Sequence, residues 1–335
     1  MAGKQLGLPE QTVTSAVTRM TGRHLEAASR ALARLEATGH PKGLHSFRVA
    51  IRRLRSLLRA YRPWLGRVAG RKIRRQLQEL TRSTSVARDT DVQIDWLVDR
   101  RSKLRGPERP GANWLLRKLQ GRKRQSYRAA ASNLRREFAR AARLMKKRID
   151  GAGDEDACTF SAAFLEVLEP AVAESRGRLA AISGADDRKN VHRARVQLKR
   201  LRYLVEPLRD ASAESRGFLR QLKGLQRLLG ELHDVHVLED ELAMAVENAA
   251  KEKARRMLHF AVDGKGRPRA YVRRRDESHG LVVLAAHARE SRDRLYKDLD
   301  RAWLAGRARP LLAGLEALRE ALREPTRLPP VKEAS

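Results

Sequence analysis

His45-Ser46-Phe47-Arg48-Val49-Ala50-Ile51-Arg52-Arg53-Leu54-Arg55 returns 147 residues later as His192-Arg193-Ala194-Arg195-Val196-Gln197-Leu198-Lys199-Arg200-Leu201-Arg202. Both stretches fit H-x-x-R-V-x-x-[RK]-R-L-R. Downstream, Leu77, Leu80, Arg82, Asp89 and Val92 match Leu222, Leu225, Arg227, Asp234 and Val237, now 145 positions apart, so one connection is two residues shorter. A duplication within the chain accounts for this correspondence. At about 100° per residue, Phe47, Ile51, Leu54, Leu58 and Tyr61 share one side of a helix, the pattern of a helix seated on a core. Beside them lie His45, Arg48, Arg52, Arg55, Arg59 and Arg62, so that arginine recurs at i, i+4, i+7, i+11 and i+14 as one continuous row.

The second copy gives His192, Arg195, Lys199 and Arg202, and then Glu206 interrupts the row before Arg209. The next helix repeats the device with Arg216, Arg220, Lys223 and Arg227, whose counterparts are Arg71, Arg75, Gln78 and Arg82. Two neighbouring helices in each half therefore carry cations that could line a shared groove. A charged row is usually a solvated helix face, but such faces mix signs. Here no Asp or Glu stands between Glu36 and Glu79, while twelve Lys or Arg do. Like charges at i, i+4 cost roughly 0.2–0.5 kcal/mol each, a penalty a bound anion relieves. Arginine dominates the first row, and its planar fork bonds phosphate oxygens in pairs. One cation per turn, about 5.4 Å, suits a polymer of regularly spaced charges. The rows alone do not separate polyphosphate from a nucleic acid backbone.

Composition bounds the reading. The 335 residues carry 72 Lys+Arg against 40 Asp+Glu, a formal charge of +32 that attracts anionic partners at long range. Hydrophobic residues make up 41% and aromatic ones only 4%, and Leu, Ala and Arg favour helices. The single Cys158 excludes an intramolecular disulfide framework and a cysteine-rich zinc site. No apolar run approaches the length of a bilayer span, and MAGKQLGLPEQTV lacks a signal-peptide core. The expectation is a cytoplasmic protein.

Punctuation predicts helices over about 9–38, 44–65 and 71–86, a fourth starting at Asp89, and a long basic helix over 113–149. The acidic, glycine-bearing stretch Asp150–Asp156 reads as a linker. Beyond it helices are expected over 161–183, 189–209, 215–232, 234–261 and within 281–323. The domain reading is a first helical-bundle half over 10–149, a linker over 150–158, a second half over 159–323 and a flexible tail over 324–335.

Several residues allow two readings. His45 and His192 either cap their helices or bond a neighbouring backbone carbonyl, or they contact phosphate. Asp89 and Asp234 read as helix N-caps, or as partners in a salt link positioning an arginine. His233 and His236 could face one ion, but Arg88 and Asp91 stand at their counterparts, so no metal is expected. Trp64, Trp96, Trp114 and Trp303 are scattered and read as packing anchors rather than base-stacking platforms. The chain carries no nucleic-acid-binding signature and no G-x-x-x-x-G-K-[ST] phosphate loop.

At the doubled motif the sequence resembles the CHAD family, the conserved-histidine α-helical domain. The likeness also rests on Ala87-Arg88-Asp89-Thr90-Asp91-Val92 and on Leu228-Leu229-Gly230-Glu231-Leu232-His233-Asp234. The resemblance implies an all-α fold of two pseudo-symmetric helical bundles around a basic central cleft or pore. It implies binding of inorganic polyphosphate, at polyphosphate granules, through His45, Arg48, Arg52, Arg55, His192, Arg195, Lys199, Arg202 and the basic residues of each following helix. Some relatives add a triphosphate tunnel hydrolase domain with an E-x-E-x-[KR] signature. That signature is missing here, so no enzymatic activity and no cofactor are expected. The alternative is a sequence-nonspecific nucleic-acid binder.

Overall fold

Leu, Ala and Arg build helices throughout the computed structural model, which describes residues 8–38, 41–66, 69–149, 158–263, 277–306 and 308–323. The first half comprises α1 (Val13–Thr38), α2 (Pro41–Ala60), the short α3 (Arg62–Leu65), α4 (Arg71–Ser83), α5 (Ser85–Arg101) and the long α6 (Arg109–Ile149). The second comprises α7 (Phe160–Ala180), α8 (Arg188–Val205), α9 (Ala213–Asp263), α10 (Glu277–Leu299), one π-helical turn (Asp300–Leu304) and α11 (Arg309–Arg323). Among the described residues there is no strand. A single antiparallel bridge ties Thr12 to Thr159, with Val13 N–H donating to Cys158 O at 3.0 Å and Phe160 N–H to Gln11 O at 2.7 Å. The entrances to α1 and α7 thus lie side by side. Residues 150–157 of the linker, residues 264–276 after α9 and the tail fall outside the described residues.

The periodic apolar face of the first motif is the core face. Phe47, Ile51, Leu54 and Leu58 are fully buried, and Tyr61 nearly so. Val191, Ala194, Leu198, Leu201 and Val205 do the same for the second copy. One apolar core runs from α1 and α2 through α7 and α8 to α11. A second joins Leu97 of α5, Leu115 and Leu119 of α6, Leu238 and Leu242 of α9, and Leu281 and Leu284 of α10. Helices α6 and α9 reach both cores, at about 1.5 Å per residue, and serve as beams between them. At the second core α6 and α10 approach through glycine. A Cβ on Gly111 would stand 2.3 Å from Glu277 O, and one on Gly280 1.9 Å from Glu108 O.

Two sequence expectations change. Asp89 is not an N-cap, because α5 already begins at Ser85. Asp234 is not one either: the two helices expected over 215–232 and 234–261 are the single helix α9. Leu225, Leu229, Leu232, Val235, Leu238 and Leu242 form an unbroken buried stripe across the expected junction. That packing outweighs the modest helix penalty of Gly230. Trp114 and Trp303 are buried and Trp64 packs against the first core, as anchors; Trp96 lies under the Arg100 guanidinium at 5.5 Å.

Candidate anion-binding site

The two motif helices pack on each other, and their basic rows meet between the halves. Arg52 and Lys199, which hold the same position in the two copies, lie within electrostatic range of each other. Burial, then Arg195, Arg52 and Arg202, lower the Lys199 ammonium to about 7, against the opposing pull of Asp234. Arg195 is lowered by burial, with Arg52 and Arg88 adding to the effect and Asp234 and Asp89 resisting it. Its guanidinium stands 3.6 Å from the Asp234 carboxylate. Asp234 therefore follows the salt-link alternative.

Helices α5 and α9 supply the rest of the centre. His45 is held below its ordinary value by burial and then by Arg88, Arg52, Arg48 and Lys199. His192 is lowered by burial, Arg195 and Lys199. His233, whose ring centroid is 4.8 Å from that of His192, falls to about 3 through burial and then Arg195. Asp89 is raised by desolvation, with Arg48 and Arg195 pulling the other way. Neither motif histidine is a cap: each is the fifth residue of its helix, and the α8 cap is Asp187, which accepts from Asn190 N–H at 3.1 Å. His236 is also spoken for, its Nε2 lying 2.7 Å from Ala185 O.

The charge here is only partly compensated. The Nε groups of Arg52 and Arg195 are buried without a hydrogen-bond partner among the described residues. Desolvated, unsatisfied donors on cations are costly, and an anion entering the centre would satisfy them. Arg48 shares such an unpartnered Nε but also makes hydrogen bonds through Nη1. It is 6% exposed, lowered to about 10 mainly by burial, and donates to Thr81 O and Thr84 Oγ1.

The structure separates the remaining row residues. Arg55 is half-buried, lowered by burial and by Arg59, while Arg59 is exposed. Arg71, Arg75 and Arg82 stand exposed on α4, and Arg216, Arg220, Lys223 and Arg227 on α9. Arg75 is paired with Glu79 at 3.0 Å and Arg227 with Glu231 at 3.8 Å. Glu206, which reads as an interruption of its own row, reaches across to α2. It accepts from Arg53 Nε at 2.7 Å and Nη2 at 3.2 Å, and lies 3.5 Å from Arg202. At the equivalent place in the other half Arg200 is lowered by burial and by Arg59 and Arg55, with Glu174 pulling the other way.

Sequence reasoning missed Arg88 and His233 as members of the centre, although the 145-residue offset places them at one repeat position. It also missed Lys123 and Tyr127 of α6, which join His45, Arg48 and Arg88 around a cleft that Asp91 and Asp95 line as well. Lys123 pairs with Asp91 at 2.7 Å, and Tyr127 O–H donates to the same carboxylate at 2.6 Å. No motif marks these two.

Comparison with known proteins follows the same lines. A family profile described as CHAD domain matches residues 19–243, well over half of the chain. The crystal structure of the CHAD domain from the plant Ricinus communis superposes with a TM-score of 0.61 at 21% identity, covering 97% of this chain and 96% of that one. PptA from Streptomyces chartreusis gives a TM-score of 0.62 at 14% identity, covering 88% and 99%. Likeness at these identities speaks to the fold. No curated protein sequence matches the chain.

Proposed function

This chain belongs to the CHAD domain family, and from that premise we propose that it binds inorganic polyphosphate without turning it over, in the cytoplasm at polyphosphate granules. The observation that carries the proposal is the under-compensated centre. Arg52, Arg195 and Lys199 converge from both motif helices, with buried guanidinium N–H groups unsatisfied among the described residues. A chain of phosphates supplies both the charge and the closely spaced acceptor oxygens such a centre lacks. The exposed rows on α4 and α9 extend the positive surface away from it. Two bundle halves that share the polymer across a basic cleft are part of this reading.

Titration with long-chain polyphosphate, duplex DNA and single-stranded RNA at about 150 mM salt is the test. Submicromolar affinity for polyphosphate, with both nucleic acids much weaker, is the expected result. Equal affinity for all three would replace it with generic polyanion capture. Polymer length should stay unchanged on long incubation with Mg²⁺ or Mn²⁺.

A further inference from the structure

Away from the centre, a cleft of about 510 Å³ opens between α1, α2, α8 and α9. That is within the range of small-molecule sites, roughly 300–1,000 Å³. Leu8, Met20 and Leu219 give it an apolar side. The rest is cationic: Arg19 and Arg23 from α1, Arg53 from α2, Arg202 from α8, Lys223 from α9, and Arg209 just beyond α8. The one carboxylate in the lining is Glu206, gripped by Arg53 through two hydrogen bonds and approached by Arg202, and Arg209 lies 4.0 Å from Asp210 beside the cleft. The Nε of Arg19 is buried with no hydrogen-bond partner among the described residues, while that of Arg202 lies 3.5 Å from Glu206.

We infer that this cleft is a second anion subsite, taking a compact oligophosphate of a few phosphate groups, in which Glu206 occupies a phosphate position as a built-in competing anion. The inference rests on the polyanion-binding reading, since Arg202 and Lys223 belong to the second-half rows and connect the cleft to them. It goes further in naming a site with an α1 wall that lies outside both motifs, and the size of ligand it accepts. The geometry explains the size. A carboxylate bound in two-pronged fashion by a guanidinium presents its oxygens as a phosphate does, and the cleft holds a compact group rather than a long run of polymer. His24, on the same wall, is lowered to about 4, chiefly by burial and then by Arg53, despite the opposing pull of Glu206.

The test is calorimetric titration of the full chain, as wild type, as the Arg19→Gln/Arg23→Gln double variant and as Glu206→Gln, with sodium tripolyphosphate and with long-chain polyphosphate in parallel. The double variant should weaken tripolyphosphate binding at least tenfold while changing long-chain affinity by no more than about threefold. Glu206→Gln should strengthen tripolyphosphate binding several-fold. If Glu206→Gln misfolds by circular dichroism, the double variant decides alone, because neither Arg19 nor Arg23 holds a neighbouring helix through Glu206. Tripolyphosphate affinity unchanged in the double variant overturns the inference while long-chain binding survives. Failure of the wild type to bind either ligand sinks both readings together.

Discussion

Arg48 donates from Nη1 to the Thr84 hydroxyl at 2.6 Å and to the Thr81 carbonyl at 3.2 Å, closing the bend between α4 and α5. Its repeat partner Arg195 meets no such bend. Leu229 stands where Thr84 would be, α9 runs straight through, and Arg195 turns towards Asp234 instead. One motif position therefore braces a helix bend in the first half and pairs with a carboxylate in the second. Replacing Arg48 with Ala should destabilise the fold by about 1–3 kcal/mol, because the buried Thr84 hydroxyl loses a charged donor. Replacing Arg195 with Ala should cost much less stability and weaken polyphosphate binding at least tenfold. Urea unfolding and titration of both variants check this, and equal stability losses would contradict it.

Lys199 makes binding depend on pH. In the free protein its ammonium titrates at about 7, held down by burial, Arg195 and Arg52. A bound polyanion raises that value, so above pH 7 binding takes up a proton. Affinity should be insensitive to this group below pH 7 and fall as pH rises beyond it, by at most about tenfold per unit. His45, His192 and His233, all held below their ordinary value, would strengthen binding only at more acidic pH.

The same shift has a stability consequence of opposite sense. An unfolded lysine titrates near 10.4, so the unfolded state binds more protons between about pH 7 and that value. Stability from this group is therefore lowest at and below pH 7 and recovers as pH rises. Lys199→Met should raise the unliganded Tm at pH 7, weaken polyphosphate binding, and flatten the affinity profile above pH 7. A variant whose profile keeps the wild-type slope would show that another group titrates.

Arg216 and Arg220 are exposed on α9. Reversing both to Glu should lower polyphosphate affinity and flatten the dependence of log K on log salt, since fewer counterions are released. Tm should move little, because surface substitutions of this kind usually stay within about 0.5 kcal/mol. Loss of helicity in that variant would make the row structural rather than ligand-facing.

Gly280→Ala tests the fold independently of the site. The added Cβ would sit 1.9 Å from the Glu108 carbonyl oxygen, which is backbone and cannot swing aside. Separation of α6 from α10 should cost about 2 kcal/mol or more, in the range of overpacked cores. Binding per folded molecule should be unchanged. Wild-type thermal stability would show that the two helices approach less closely.

Much of this protein was readable along the chain. Phe47, Ile51, Leu54 and Leu58 announce their buried face by spacing alone, and the row from Arg48 to Arg59 announces its position beside that face. Periodicity reports the direction of side chains around one helix axis, which is a local property. It does not report which helices become neighbours. The meeting of Arg52 with Lys199 and the pairing of Arg53 with Glu206 were settled by the packing of α2 against α8. The places of Asp89 and Asp234 inside helices were settled by the apolar contacts around α5 and α9. Those outcomes sum many contacts between residues far apart in sequence. A charge such as Glu206 therefore reads as an interruption in its own row until the opposite helix supplies its partner.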